Sequence, residues 1–422
     1  MAQTQNPMTY ALPPLGRRGT RPVRLRAATA LGPAFVAAIA YVDPGNFATN
    51  FAAGASTGYQ LVWVVVLANL VAMPIQFMSA KLGVATGRSL PHVFRDTFPG
   101  PRSWVMWGQA EIVAMATDLA EFVGAAIGLY LLFGIPMPLA AAITAVISFA
   151  VLALQRRGYR PFELAIGAML AMICAGFLYL AVRVPPSASE SLNGLLPSIG
   201  GDNVLLLAVG IIGATVMPHA IYLHSGLMRG RAAGRTAGEK RELLRLERID
   251  IAIAMSLAGL VNLSMLAIAA KLFHRGPGTP AITLDSVHVG LDNLVGGAAA
   301  LAFAAALLAS GIASSSVGTA AGQMVMDGFL RTRIPLAVRR SVTMAPAVVL
   351  LCSGVDPTRA LVLSQVVLSF GIPFALVGLL VLTSRRSLMG EHVNSRFTVV
   401  AMTAVVAVLS GLNILLLGQQ LL

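Results

Sequence analysis

The chain has 422 residues, of which 57% are hydrophobic and 11% charged, with a formal net charge of +13. A soluble globular protein carries roughly 25% charged residues, so this composition excludes a soluble enzyme and predicts an all-α polytopic membrane protein folded as one bundle. The basic residues lie in gaps between long apolar runs, so their expected partner is the lipid bilayer and no nucleic acid is expected. Residues 1–27 are polar and basic (Arg17, Arg18, Arg21, Arg24, Arg26), lack the apolar core of a cleaved signal, and read as an N-terminal arm. Cys174 and Cys352 sit in apolar segments without a CxxC partner, so no disulfide framework or thiolate metal site is expected.

A spanning helix needs about 20 mostly apolar residues. Eleven segments qualify, at about 31–53, 59–84, 104–132, 136–155, 162–183, 203–227, 249–273, 294–329, 335–354, 358–383 and 397–420, within one domain covering 28–422. The even-numbered gaps are basic: Lys81, Arg88, Arg95 and Arg102; Arg156, Arg157 and Arg160; Arg229 to Arg248; Arg331 and Arg333; Arg385, Arg386 and Arg396. The odd-numbered gaps are poor in Lys and Arg. By the positive-inside rule the N-terminus is expected in the cytoplasm of a cell whose inner membrane the chain spans, with the C-terminus outside.

The first segment contains Asp43-Pro44-Gly45-Asn46 where a membrane helix would carry apolar residues. An ionised Asp at mid-bilayer costs at least ~2.5 to 3.5 kcal/mol, and Pro44 removes a backbone donor. The segment is therefore expected to split into two half-helices with freed carbonyls facing a protein-lined cavity, with Asn46 adding a second side-chain oxygen. The alternative is a plain proline kink in which Asp43 caps the second half-helix.

The third segment carries Glu111, Asp118 and Glu121. At about 100° per residue all three fall on one helix face, as a proton ladder requires. Buried ion pairs are the competing account, with Arg339 and Arg340 at the start of the ninth segment as partners.

The sixth segment is interrupted by Met217-Pro218-His219, five spans after the first break. Two proline-broken helices so placed predict an inverted repeat, about 31–183 and 203–383, with segment 397–420 as an addition and the binding site where the breaks face each other. His219 and His224 are expected to be hydrogen-bonded, not metal-bound, while His92, His274, His288 and His392 fall in loops. The eighth segment's Ser310, Ser314, Ser315 and Ser316 read as packing surface.

The Asp43 carboxylate, Asn46 amide, Met217 thioether and freed carbonyls together describe a cation site. Oxygens alone would suit Mg2+ or Ca2+, whereas the thioether favours Mn2+, Fe2+ and later metals. Core packing is the competing reading of Met217. No His/Cys spacing of a zinc site appears.

Asp43-Pro44-Gly45-Asn46 in the first span with Met217-Pro218-His219 in the sixth resembles the natural-resistance-associated macrophage protein (Nramp) family, over roughly 31–417. The resemblance implies a LeuT-like fold of eleven transmembrane helices and proton-coupled uptake of Mn2+ and Fe2+, with the metal as substrate and no cofactor. It further implies metal ligation by Asp43, Asn46, Met217, the Ala214 carbonyl and, in another state, the Ala40 carbonyl, with Gln365 joining in an occluded state. An interhelical hydrogen bond is the other reading of Gln365. The proton route would use Asp118, Glu121 and Arg340, supported by Glu111 with its candidate partner Arg339 and tuned by His219. Ala220 departs from the Asn common at that position, which is not a ligand.

The competing function is a symporter of the same fold for amino acids or organic cations, which would present a Gly-rich unwound stretch instead of a carboxylate and a thioether. No repeated filter loops suggest a channel, no nucleophile with its base suggests an enzyme, and no obligatory protein partner is evident.

Overall fold

The computed structural model describes residues 32–155, 159–198, 200, 203–276, 282–330 and 335–421. The arm 1–27, with Arg17 to Arg26, and Arg156, Arg157, Arg331 and Arg333 lie outside the described residues. Every regular element among the described residues is helical.

The first span is α1 (Pro33–Ala38), a 3-10 turn (Ile39–Val42) and α2 (Pro44–Thr57). It is followed by α3 (Val62–Thr86), a short α4 (Leu90–Thr97), α5 (Pro101–Phe133), α6 (Met137–Gln155), α7 (Tyr159–Arg183) and a short α8 (Ala188–Asn193). The second half opens with its own broken pair, α9 (Val204–Thr215) and α10 (Pro218–Ala232). Then come α11 (Ala237–Phe273), the connecting α12 (Leu284–Val295), α13 (Gly297–Leu330), α14 (Leu336–Cys352) and α15 (Pro357–Thr383). A short α16 (Arg386–Met389) leads to α17 (Arg396–Leu421). The breaks fall at matching positions of two five-span halves, with α17 outside them, as the proline spacing predicts.

Eight of these helices are long and apolar enough to cross a membrane, counting α9 and α10 as one. Two of the other three expected spans are shorter for visible reasons: the first is broken at Asp43, and α14 has 17 residues with Arg339 and Arg340 in its first turns. The third, α6, runs over the 19 residues Met137–Gln155. Two boundaries differ from expectation. The eighth segment starts at Gly297, because Leu284–Val295 forms a separate helix ending at Gly296 with φ 113°. The seventh starts twelve residues before its apolar run, because a capping box nucleates it: Thr236 N–H donates to Glu239 Oε2 at 2.9 Å and Glu239 N–H returns to Thr236 Oγ1 at 3.4 Å. Its first turns are charged, so hydropathy alone passes over them.

Close packing of α5 on α13 sets the centre of the bundle. A Cβ on Gly128 would come within 2.7 Å of the Leu308 backbone, and one on Gly311 within 2.6 Å of the Ala125 backbone. Only residues without a side chain allow this approach. It brings Glu121 on α5 against α13, where a Cβ on Gly318 would lie 2.5 Å from Glu121 Oε2. The 3-10 turn of the first break packs against α9, α11 and α13.

Candidate functional site

Both breaks follow from proline. In a helix each carbonyl accepts from the N–H four residues on, and a proline there supplies none. Ala40 precedes Pro44 by four residues and Ala214 precedes Pro218 by four, so the two backbone oxygens implied as ligands are the two whose helical donors are missing.

At the first break, Asp43 and Asn46 form a capping box. Asn46 N–H donates to Asp43 Oδ1 at 2.8 Å, and Asp43 N–H donates to Asn46 Oδ1 at 3.2 Å. The plain capping reading is therefore correct as local structure. It leaves something over: Asp43 Oδ2 and Asn46 Nδ2 are buried without a hydrogen-bond partner among the described residues. A carbonyl-type oxygen keeps a second lone pair, so Asn46 Oδ1 can cap and still accept a ligand.

Gln365 on α15 closes the other side. A Cβ on Gly45 would stand 2.0 Å from Gln365 Nε2, and one on Gly213 would stand 1.9 Å from the Gln365 carbonyl. Gln365 thus wedges between the two breaks, with Nε2 donating to Ser364 Oγ at 3.1 Å and Oε1 without a partner among the described residues. Met217 is the last residue before α10 and has no capping side chain. Ala40, Asp43, Asn46, Ala214, Met217 and Gln365 are each 0% exposed.

The carboxylates on α5 divide into two kinds. Glu111 Oε1 accepts from Arg339 at 2.9 Å, and Asp118 Oδ1 accepts from Arg340 at 3.1 Å. Arg340 also donates to Thr319 Oγ1 at 2.7 Å, to Ser148 Oγ at 3.2 Å and to Ser315 Oγ. Both ion-pair partners are those the sequence offers. Glu121 is different: it is fully buried, and neither of its oxygens has a hydrogen-bond partner among the described residues. It lies within electrostatic reach of Asp118, Arg340 and Asp43, between the ion pair and the first break.

His219 sits at the second break with Nδ1 3.2 Å from Thr117 Oγ1 on α5 and Nε2 without a partner among the described residues. His224 uses both ring nitrogens, Nδ1 to Gln76 Oε1 and Nε2 to Glu247 Oε1, each at 2.8 Å. Neither joins a metal cluster, and among the described residues no group of three or more His, Cys, Asp or Glu forms one. Three other histidines are not in loops: His92 lies in α4, His288 in α12 and His392 in a 3-10 turn (Gly390–His392), short elements that cannot register as spans.

Sequence reasoning missed a second polar cluster. Asp250 Oδ2 accepts from Gly32 N–H at 3.0 Å and Ala34 N–H at 3.2 Å, capping α1, while Glu247 holds His224 and Gln76 donates to Tyr41. Glu247 and Asp250 stand at the edge of an apolar run and resemble boundary charges. Asn262, in the middle of the seventh segment, carried a usable signal as an amide inside a membrane helix. Ser310 was read as packing surface, but its hydroxyl donates to the Val42 carbonyl at 2.6 Å.

These features define a polytopic membrane protein built from two inverted halves, whose broken helices enclose a small buried polar site. The chain belongs to the Nramp family: the family model "Natural resistance-associated macrophage protein-like" matches residues 34–419. It is 51% identical over 407 residues to the divalent metal cation transporter MntH of Deinococcus radiodurans, covering 96% of this chain and 93% of that one. Its fold matches a crystal structure of the Eremococcus coleocola manganese transporter with TM-score 0.86 and 31% identity, covering 98% of this chain and 91% of that one. MhsT, solved with L-phenylalanine, shares the fold at TM-score 0.57 and 14% identity, covering 90% of this chain and 97% of that one.

Proposed function

We propose that this protein imports Mn2+ and Fe2+ into the cytoplasm together with protons, by alternating access between its two halves. The observation that carries the reading is Asp43 Oδ2, a fully buried carboxylate oxygen at a helix break with no hydrogen-bond partner among the described residues. A buried anion without a partner is costly, and a divalent cation offsets that cost. Asp43, Asn46 and Met217 bind the ion with the Ala214 carbonyl, and with the Ala40 carbonyl and Gln365 in particular states. The thioether biases the site toward transition metals over Ca2+ and Mg2+. The unpartnered Glu121 and His219 Nε2 link this site to the Asp118–Arg340 pair, giving protons a route along α5, with Glu111–Arg339 at its far end. The relatives named manganese or divalent metal cation transporters support the substrate class.

In this reading the chain lies in the inner membrane with its N-terminal arm, 1–27, in the cytoplasm and its C-terminus outside, and 28–422 acts as one transporter domain needing no protein partner. An amino-acid symporter fits less well, since a carboxylate occupies the break where a substrate carboxylate would bind. The test is proteoliposome uptake of Mn2+ with internal pH recorded. Mn2+ entry with internal acidification that slows in Asp118→Asn is expected. Unaltered proton flux in that variant removes Asp118 from the route.

A further inference from the structure

The first break frees three carbonyls, those of Ala40, Tyr41 and Val42, and the structure treats them unequally. Asn262 Nδ2 on α11 donates to the Tyr41 carbonyl at 2.8 Å. Ser310 Oγ on α13 donates to the Val42 carbonyl at 2.6 Å. Both donors are buried, at 1% and 0% exposure, and reach the turn from separate helices. Asn262 is itself fixed, because its Oδ1 accepts from Asn50 Nδ2 at 3.0 Å. The remaining nearby donor, Asp43 N–H, is drawn away to Asn46 Oδ1. No described residue donates to the Ala40 carbonyl.

We infer that Ser310 and Asn262 are positioning residues that set metal selectivity by fixing how many oxygens the first break offers. Each donor occupies one lone pair of its carbonyl and holds that carbonyl toward α11 or α13, which leaves Ala40 as the carbonyl of the three that no described residue engages. The inference rests on the cation site proposed above. Its physical basis is ligand count: Ca2+ takes six to eight oxygens in flexible geometry, while few oxygens with one sulfur suit a transition metal. Releasing the Val42 carbonyl would supply one more hard oxygen beside Asp43 and move the site toward Ca2+. A serine that merely packs would not predict this direction of change.

The experiment is equilibrium binding of Mn2+ to the purified full-length protein, with Ca2+ as competitor, for the parent, Ser310→Ala and Ser310→Thr. A buried hydrogen bond of ordinary strength corresponds to roughly a 5- to 10-fold change in an equilibrium constant. Ser310→Ala is therefore expected to lower the preference for Mn2+ over Ca2+ by about 5- to 10-fold, and Ser310→Thr, which keeps the hydroxyl, to retain it. Should Ser310→Ala fail to fold, Ser310→Cys supplies the comparison, with a weak donor and an intermediate preference expected. Equal weakening of both ions, or no change in the preference, overturns the inference. Asp43→Ala, measured alongside, separates the two levels. If it retains Mn2+ binding, the cation site itself fails; if it loses binding while Ser310→Ala keeps the parent preference, only the role of Ser310 and Asn262 fails.

Discussion

At the first break Asp43 caps α2, Asn46 returns a bond to Asp43, and α11 and α13 each donate to a freed carbonyl. At the second break Met217 provides no cap for α10, and no described side chain donates to the carbonyls of Ala214, Thr215 or Val216. One proline rule thus produces two unlike structures. The first break is fixed by four side chains and leaves a few chosen atoms open. The second leaves the carbonyls of Ala214, Thr215 and Val216 without a described side-chain donor, and on the proposed site a bound ion would be the partner such buried groups need. What α10 has instead is anchoring further along: Ser79 Oγ donates to the Ile221 carbonyl at 2.6 Å, and Ser225 Oγ accepts from Leu90 N–H at 2.9 Å. On the proposed metal site, α1–α2 is the side fixed by side-chain hydrogen bonds and bearing the carboxylate, and α9–α10 is the uncapped side that carries the thioether.

The largest effect is expected where the carboxylate-bearing side loses its charge. Asp43→Ala should reduce Mn2+ affinity on the order of 100-fold or more, measured by calorimetry, and affinity within a few fold of the parent would break the assignment. Next comes the pairing that ties α5 to α14. Arg340→Ala leaves Asp118 buried without its partner and should cost about 3–5 kcal/mol of stability, seen as a lowered melting temperature. Removing both charges in Asp118→Ala with Arg340→Ala should recover part of that loss, and additive losses would show that the two do not act as a pair.

The thioether side predicts a milder outcome. Met217→Ala should keep Mn2+ transport partly active in proteoliposomes while losing discrimination against Ca2+ and Mg2+; unchanged discrimination would return Met217 to core packing. The smallest effect concerns α4, which holds the far end of α10. Burial and the nearby Arg229 and Arg95 push the His92 imidazole down to about 4. The neutral ring is thus favoured in the fold, and its contribution is present above the ordinary histidine pKa of about 6.5 and fades as the pH falls toward the folded value. His92→Gln should leave the pH profile of transport near neutrality unchanged and make stability at about pH 5 slightly less acid-sensitive. A shifted transport profile would make His92 part of the proton route.

Much of this was legible in the sequence because the informative residues violate a simple background. Asp43, Pro44, Pro218, Glu111, Asp118 and Glu121 each stand where an apolar residue is expected, and their spacing carries both the inverted halves and the shared face of α5. The ion pairs of Arg339 and Arg340 followed from opposite charges at matching depth. The parts that were not legible depend on which atom a side chain turns toward. Ser310 and Asn262 act through bonds to backbone oxygens more than 200 positions away, and no pattern in the chain records such a partner. Asp250 was hidden by standing at the edge of an apolar run, where a charge needs no explanation until it is found capping α1. The early start of α11 was hidden because a capping box, and not hydropathy, decides where that helix begins.

The central claim is that the two unlike breaks share one metal ion, and anomalous diffraction from crystals soaked in Mn2+ tests it most directly. A single buried peak between the Asp43 carboxylate and the Met217 sulfur, lost in Asp43→Ala crystals, is the predicted result. Manganese found elsewhere in the bundle, with the space between Asp43 and Met217 empty, would contradict the account.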